Sequence, residues 1–260
     1  LVVICWQSEM KDRGMAKEVT ASLLVIGDEI LSGRTKDKNI GWIAEHLTAI
    51  GIQLREVRIV PDVEAEIIAA LNALRARTTY VFTTGGIGPT HDDITADCVA
   101  KAFGVPIDVD PRALAIMKPY YEKRGIELTP ARLRMARLPQ GSELVENSVS
   151  IAPGFRIGNV IVMAGVPKIM QVMLDAVTPS LETGAKMLSE SIELFRPEGE
   201  VADLFGRHQE AYPDVPMGSY PFNRDGKIFG THLVLRSTDP ARLAEATAGL
   251  RDKLAAAGML

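Results

Sequence analysis

Three times in the first hundred residues a short apolar run gives way to helical spacing, and this alternation limits the fold more than any other feature. Ser22-Leu-Leu-Val-Ile-Gly27 reads as a buried strand, and Ile40, Ile43, Ala44, Leu47 and Ile50 then recur at helical intervals before the stop at Gly51. Gln53 to Val60 reads as a second strand. Pro61-Asp62 opens the next helix, with Asp62 suited to capping it and Ile67, Ile68, Leu71 and Leu74 on its apolar face. Tyr80-Val-Phe-Thr-Thr84 is a third strand that runs directly into Gly85-Gly86-Ile87-Gly88. Thr95 is placed to cap a helix carrying Cys98, Val99, Ala102 and Phe103, which Gly104 ends. A βαβαβα order of this kind predicts an α/β fold, with a parallel sheet, right-handed crossovers and helices on both faces. Ligands of such sheets bind outside the carboxyl ends of the strands, so Asp28-Glu29 and the segment from Gly85 to Asp93 are expected on one rim.

The middle of the chain is less regular. Pro111 to Lys123 predicts a helix, Thr129-Pro130 opens another over 131–135, and Asn159 to Met163 is a further buried strand leading through Gly165-Val166-Pro167 to a helix ending near Val177. Pro179 and Gly184 mark a boundary. Beyond it, strands at 191–195, 215–222 and 228–236 and helices at 201–211 and 240–257 give a βαββα pattern, with Asn223-Arg-Asp-Gly226 as the hairpin turn and Asp239 as the last cap. The expected organisation is therefore a leader or extension over 1–20, a ligand-binding domain over 21–184 and a small α+β domain over 185–260. The sequence opens without methionine, and Met15 precedes the first strand, so residues 1 to about 14 read as a misplaced start or an extension.

Composition excludes several classes. A net charge of -4 over 260 residues gives no basic footprint for nucleic acid. The apolar run Leu1–Trp6 is too short to span a bilayer and lacks the flanks of a secretory signal, so no membrane partner is expected. Two distant cysteines, Cys5 and Cys98, make neither a disulfide framework nor a zinc site and fit a reducing, cytoplasmic setting.

The densest polar signal is Thr83-Thr-Gly-Gly-Ile-Gly-Pro-Thr-His-Asp-Asp-Ile-Thr95. Glycines at a strand end let backbone N–H groups approach an anion, and the helix start that follows favours negative charge. The same glycines would also serve a plain strand-to-helix turn. The Lys-Ser/Thr pair of a Walker loop is missing, as is the dinucleotide-binding spacing. Asp92 and Asp93 share this loop, and Asp28, Glu29 and Asp62 sit on neighbouring strand exits. Carboxylates beside a phosphate loop repel the ligand unless cations lie between, which points to Mg²⁺ or a similar ion and to attack on a phosphoanhydride. An Asp could act as base for the nucleophile. Each acid also has a plainer role open to it, Asp62 as a cap and Glu29 as a solvated side chain. His91 has no second histidine at ligand spacing, no serine nucleophile elbow is present, and Cys98 lies on an apolar helix face. Ala152-Pro-Gly-Phe155 and Met163-Ala-Gly-Val-Pro167 read as loops near the same edge, either closing over a ring of the ligand or simply connecting strands.

These segments resemble a known family. Gly27-Asp-Glu-Ile-Leu-x-Gly33, Asn39, Thr84-Gly-Gly-Ile-Gly-Pro-Thr-x-Asp-Asp93, Ala152-Pro-Gly-Phe155 and Gly165-Val-Pro167 are similar, in this order, to the CinA-like branch of the MoaB/Mog superfamily of molybdopterin-binding domains. The resemblance covers about Ala21 to Leu181 and extends through Ser219-Tyr-Pro221. It implies a three-layer αβα sandwich with a mostly parallel sheet, binding a pterin or nucleotide phosphate on the rim. Asp62 and Asp93 match the two catalytic aspartates of Mog-type adenylyltransferases. CinA-like proteins, and the related domain of eukaryotic FAD synthases, are associated instead with metal-dependent hydrolysis of ADP-ribose or FAD pyrophosphates. Two departures stand out: Ser150-Ile151 replaces the usual Gly-Thr, and Ile169 replaces a glutamate, which puts hydrolysis in question if that glutamate binds metal or ribose. Longer members carry a nicotinamide mononucleotide deamidase domain after the small domain. That activity is not expected of a sequence ending at Leu260.

The leading expectation is a pyrophosphatase acting on ADP-ribose or FAD-like dinucleotides with Mg²⁺, Mn²⁺ or Co²⁺. Asp62 and Asp93 are its catalytic residues and Asp28, Glu29 and Asp92 hold metal. Asn39, Gly85, Gly86, Gly88, Pro89, Thr90, Thr95, Pro153, Gly154, Gly165 and Pro167 surround the ligand. The alternatives are a molybdopterin-binding or molybdopterin-adenylylating protein and a non-catalytic nucleotide sensor. The family resemblance further implies a homodimer or larger homo-oligomer.

Overall fold

The computed structural model describes residues 18–260, so residues 1–17 of the expected leader, with Cys5 and Met15, lie outside the described residues, while Val19 and Thr20, expected in the leader, already belong to the first strand. Two compact units meet the chain's division at Gly184/Ala185. In the first, β1 (Val19–Ile26), a single helical turn α1 (Asp28–Leu31), α2 (Ile40–Ala49), β2 (Ile52–Val60), α3 (Glu64–Arg75), β3 (Tyr80–Thr84) and α4 (Thr95–Phe103) follow in order. Then come β4 (Ile107–Val109), α5 (Pro111–Lys123), α6 (Pro130–Leu133), β5 (Arg137–Pro139), β6 (Glu143–Val145), β7 (Gly154–Ile157), β8 (Val160–Met163) and α7 (Pro167–Val177).

The central sheet has the order β2-β1-β3-β8-β7-β6. Pairs β1/β2, β1/β3 and β3/β8 are parallel, whereas β7 runs antiparallel to both β8 and β6. Alternation along β1 explains the layers. Leu24 and Ile26 join Ile67, Leu71 and Leu74 of α3 and Val99 of α4 on one face. Ala21, Leu23 and Val25 join Ile43 and Leu47 of α2 and Met170 and Leu174 of α7 on the other. This is the three-layer α/β architecture. Because β2 and β3 flank β1 on opposite sides, the chain leaves β1 and β3 in opposite directions. The crevice outside their carboxyl ends is the switch point at which open α/β sheets take ligands.

Three local expectations are corrected. Asp62 does not cap α3, whose N-cap is Val63 with no side-chain bond; its carboxylate accepts the Asp28 N–H instead, at 3.0 Å. Thr95 is the first residue of α4 rather than its cap, and its hydroxyl donates to the Gly85 carbonyl at 2.9 Å. The segment read as a loop at 152–155 enters the sheet as β7, since Gly154 and Phe155 pair with Val145 and Leu144. Gly154 is buried there, and a Cβ on it would lie 2.3 Å from the Val162 carbonyl oxygen.

The second unit comprises β9 (Leu188–Leu194), α8 (Glu198–Ala211), β10 (Met217–Arg224), β11 (Ile228–Ser237) and α9 (Pro240–Ala256), the βαββα order expected. Its antiparallel sheet has the order β10-β11-β9. Asp239 caps α9 by accepting from the N–H groups of Ala241 and Arg242. Ile192, Leu194, Leu233 and Leu235 of the sheet pack with Val201 of α8 and Leu250 of α9.

His208 of α8 is fully buried in this core. Its Nε2 lies 2.8 Å from the Ala246 carbonyl oxygen and its Nδ1 3.0 Å from Lys253 Nζ. The neutral ring satisfies both, donating to the carbonyl and accepting from the ammonium. Burial holds the imidazole below its ordinary pKa, and the Lys253 charge adds to this, while the Ala246 carbonyl works the other way. The unfolded chain therefore takes up a proton before the folded one does. Stability is full above the ordinary value of about 6.5 and falls as pH drops through the lower folded value. Calorimetry of the full chain should show the small unit's transition moving down as pH falls from about 7.5 to 5. In His208→Gln, which retains a donor for Ala246, that slope should flatten, at a cost of about 1–2 kcal/mol at neutral pH. A wild-type transition unmoved over this range would refute the neutral buried ring.

Candidate functional site

The rim is built from four strand exits that approach closely. Gly85 follows β3 with φ 103°, and a Cβ there would sit 2.1 Å from the carbonyl oxygen of Ile26 at the end of β1. Only glycine lets the two exits touch in this way. Gly86, at φ 66°, lies so close to Thr95 that a Cβ would meet its hydroxyl at 2.2 Å. Three hydrogen bonds fix the turn: Gly85 N–H to the Met163 carbonyl at 3.2 Å, Thr95 N–H to the Gly86 carbonyl at 3.0 Å, and the Thr95 hydroxyl to the Gly85 carbonyl. Thr95 is completely buried, so it holds the loop's shape and does not reach a ligand.

Farther along the loop, Asp93 Oδ2 accepts from Thr90 N–H at 2.8 Å and from the Thr90 hydroxyl at 2.5 Å. The Thr90 hydroxyl, expected to cradle phosphate, is thus committed to shaping the loop around Asp93. Gly88 leaves room for this carboxylate, which a Cβ would approach to 2.7 Å. Pro89 lies within the same turn. The N–H groups of Gly86, Ile87 and Gly88 donate to no acceptor among the described residues, so these amides are available to an anion.

Four acids at these strand exits interact electrostatically. Asp62, half-buried after β2, accepts the Asp28 N–H. Its carboxyl is pushed above the ordinary range by burial first and by the charges of Asp28, Glu29 and Asp92, against the opposing pull of the Asp28 N–H. That electrostatic coupling brings together residues from the exits of β1, β2 and β3. Among the described residues, however, no three His, Cys, Asp or Glu side chains converge as a group able to hold a metal by themselves.

On the other flank, Asn39 Nδ2 donates to the Gly165 carbonyl at 2.7 Å, and Gly165 packs against Gly85, a Cβ on it falling 3.3 Å from the Gly85 Cα. The buried Oδ1 of Asn39 and the Thr84 hydroxyl oxygen have no hydrogen-bond partner among the described residues. Buried polar atoms left so, one at the start of α2 and one at the end of β3, call for a ligand or water. Pro167 opens α7 at its first turn. His91 is almost wholly exposed, and Cys98 is buried with its thiol pushed up to about 11 by burial, so it supplies no thiolate near neutrality.

The sequence reading missed the cations of this site. Arg134 and Arg137 lie beside the loop, both on Asp97 of α4, and line a cleft together with Gly86, Gly88 and Pro153. Arg134 Nε also donates to the Asp93 carbonyl at 3.2 Å. Their spacing in Arg132-Leu-Arg-Met-Ala-Arg137, with a tight helical turn over Arg134–Ala136, was the available signal.

Comparison with known proteins accords with this geometry. Residues 22–183 match the model of a family described as a probable molybdopterin binding domain, and residues 186–260 match that of the FAD synthase middle domain. A protein of Pyrobaculum aerophilum is 40% identical over 224 residues, covering 82% of this chain and 84% of its own length. A CinA-like protein of Desulfosudis oleivorans is 35% identical over 209 residues, which make up 76% of this chain and 51% of that protein. Among solved structures, CinA of Thermoplasma acidophilum, described as of unknown function, aligns with a TM-score of 0.58 and 38% identity over 63% of this chain and 98% of that one. The chain belongs to the molybdopterin-binding-domain family of MoaB/Mog type, in its CinA-like branch.

Proposed function

We propose that the chain hydrolyses the pyrophosphate bridge of ADP-ribose or of a FAD-like dinucleotide, with Mg²⁺, Mn²⁺ or Co²⁺, in the cytosol. The observation that carries this reading is the electrostatic coupling of Asp62 to Asp28, Glu29 and Asp92 beside unpartnered loop amides at the switch point. A match to an FAD synthase middle domain beside the molybdopterin-binding domain supports a nucleotide as ligand. Among the described residues no closed metal cage is formed. They suit a cation that takes one or two carboxylates, from Asp28, Glu29 and Asp92, and completes its shell with phosphate oxygens and water, as Mg²⁺ commonly does. When bound, such an ion would neutralise the bridge and make phosphorus a better electrophile.

The protein's part is binding and proton handling. Amides of Gly86, Ile87 and Gly88 receive phosphate oxygens. Asp62, whose proton affinity is raised by burial and by its acidic neighbours, accepts a proton from the attacking water as a carboxylate, at the oxygen left free by the Asp28 N–H. Asp93, pinned through Oδ2 by Thr90, presents Oδ1 to the same ligand. The family's printed description as molybdopterin-binding supports a second reading, a pterin phosphate at the same loop.

Incubation of the full chain with ADP-ribose and each metal should release AMP, and Asp62→Asn or Asp93→Asn should lower kcat by about 100-fold or more. Absence of release with all three metals, with molybdopterin adenylylated from MgATP instead, would overturn the hydrolase reading in favour of the transferase.

Asp62 also gives a stability test whose sign is the reverse of an ordinary ion-paired acid. With its folded pKa raised, it adds stability below its unfolded pKa and loses that contribution as pH rises through the folded value. Asp62→Asn should therefore raise Tm by about 1–2 °C at pH 7.5, the modest size reflecting solvent screening of a half-exposed group. The gain should vanish toward pH 4. A variant that loses both activity and stability at pH 7.5 would show that Asp62 is mainly structural.

A further inference from the structure

The three-stranded sheet of the second unit has two edges, and only one of them is blunted. Edge strand β10 carries Pro221 at mid-strand, a residue with no N–H to offer a further strand. Edge strand β9 has no proline, and Ser189, Glu190 and Ser191 along it are exposed. Among the described residues its backbone bonds only to β11, so its other side is an open row of donors and acceptors. The two acids of β9 differ in surroundings. Glu193 lies on the outer face of the sheet, beside Arg224 and His232. Glu190 lies on the helix side, in register with Leu235 of the core. Next to this edge a groove of about 440 Å³ runs against α9, lined by Leu188 and Glu190 of the strand and by Leu243, Ala244, Ala248 and Arg251 of the helix. Glu190 and Arg251 are exposed, and neither side chain has an ion-pair or hydrogen-bond partner among the described residues.

A groove with one unpaired anion and one unpaired cation is its own electrostatic complement across a two-fold axis, which is what an isologous interface requires. We propose that β9 pairs antiparallel with β9 of a second copy of this chain, joining two three-stranded sheets into one of six, with Glu190 of each copy meeting Arg251 of the other. The strand itself selects the register. A two-fold axis through Ser191 pairs every residue from Leu188 to Leu194, placing Leu188 opposite Leu194 and Glu190 opposite Ile192. An axis through Glu190 would set that acid against its own copy, and one through Ile192 would leave Leu188 and Ser189 unpaired. An axis between residues would match the core side of one strand to the solvent side of the other. The small side chains of Ala244 and Ala248 leave room for the second α9 beside the first, over the same face of the enlarged sheet. An extended peptide of another protein would bond to the same edge, but only a second copy necessarily brings an anion and a cation to matching places.

Sedimentation of the full chain over a micromolar concentration series tests this pairing and should show self-association through a dimer. Glu190→Arg and Arg251→Glu should each weaken dimerisation about tenfold, because each sets like charges together twice across the axis. The double variant Glu190→Arg/Arg251→Glu restores opposite charges and should return the dimer constant to within about threefold of wild type, a recovery that misfolding cannot produce. Ser191→Cys in a Cys5→Ser background should give a disulfide-linked dimer on mild oxidation, since opposed residues of an antiparallel pair lie about 4.5–5.5 Å apart. Cys98 is buried and does not compete. A monomeric wild-type chain overturns the proposal, and capture of an extended peptide by that monomer would assign the edge to a different protein. Self-association left within about twofold by both single reversals overturns it as well, since the copies then meet elsewhere. So does a double variant that fails to recover, or a Ser191→Cys chain that dimerises without forming the disulfide.

Discussion

The contact between Gly85 and the Ile26 carbonyl governs everything at the rim. A β carbon at position 85 would lie inside the carbonyl oxygen, so β1 and β3 can end side by side only because that carbon is missing. From this approach the remaining geometry follows in order. The Gly85 carbonyl is turned to Thr95, whose hydroxyl and amide fasten the loop to the first turn of α4. The Gly85 N–H binds the end of β8 through Met163, and Gly165 packs against the same glycine from the α7 side. Three strand ends and two helix starts are therefore registered on one residue without a bulky side chain among them. The amides of the next three residues are left over, and they face a crevice that the sheet topology had already opened.

The site so formed is electrically divided. On one side, burial first and then the charges of Asp28, Glu29 and Asp92 make Asp62 hold its proton more tightly than a free carboxyl does. Arg134 and Arg137 bring cations to the other side, where they face Asp97 and share a cleft with Asp93. A single-sign pocket would favour any anion or any cation. A divided one favours a ligand that carries negative charge along its length and brings a cation to one end. The overall charge of -4 gave no hint of this, because a local field is set by which residues face one another and not by their sum.

What could be read in advance was whatever depends on local pattern. Strands with three or more consecutive apolar residues and helices with a full apolar stripe stood out, so β1, β3, α2 and α9 were legible within a few residues. The strands β5, β6 and β7 were not, since each has only three or four residues and gains its identity from a partner; Gly154 and Phe155 are strand residues because Val145 and Leu144 lie opposite. Capping was misjudged at Asp62 and Thr95 for a related reason. Both residue types favour caps, but each found a partner brought by tertiary structure, the Asp28 N–H for one and the Gly85 carbonyl for the other. Arg134 and Arg137 escaped notice because they lie some forty residues after the loop and carry no motif.

These misjudged positions are informative about function. A helix cap spent on stability would have left Asp62 facing its own helix, with its carboxylate lowered by the N–H groups there. In the fold it faces Asp28 and two further acids, an arrangement that costs stability when the group is ionised. Local preference has been overridden toward a less comfortable electrostatic state at the one crevice where the topology favours ligands. A bound group could relieve such a conflict, and the proposed divalent cation accompanied by phosphate oxygens is the chemistry that would do so.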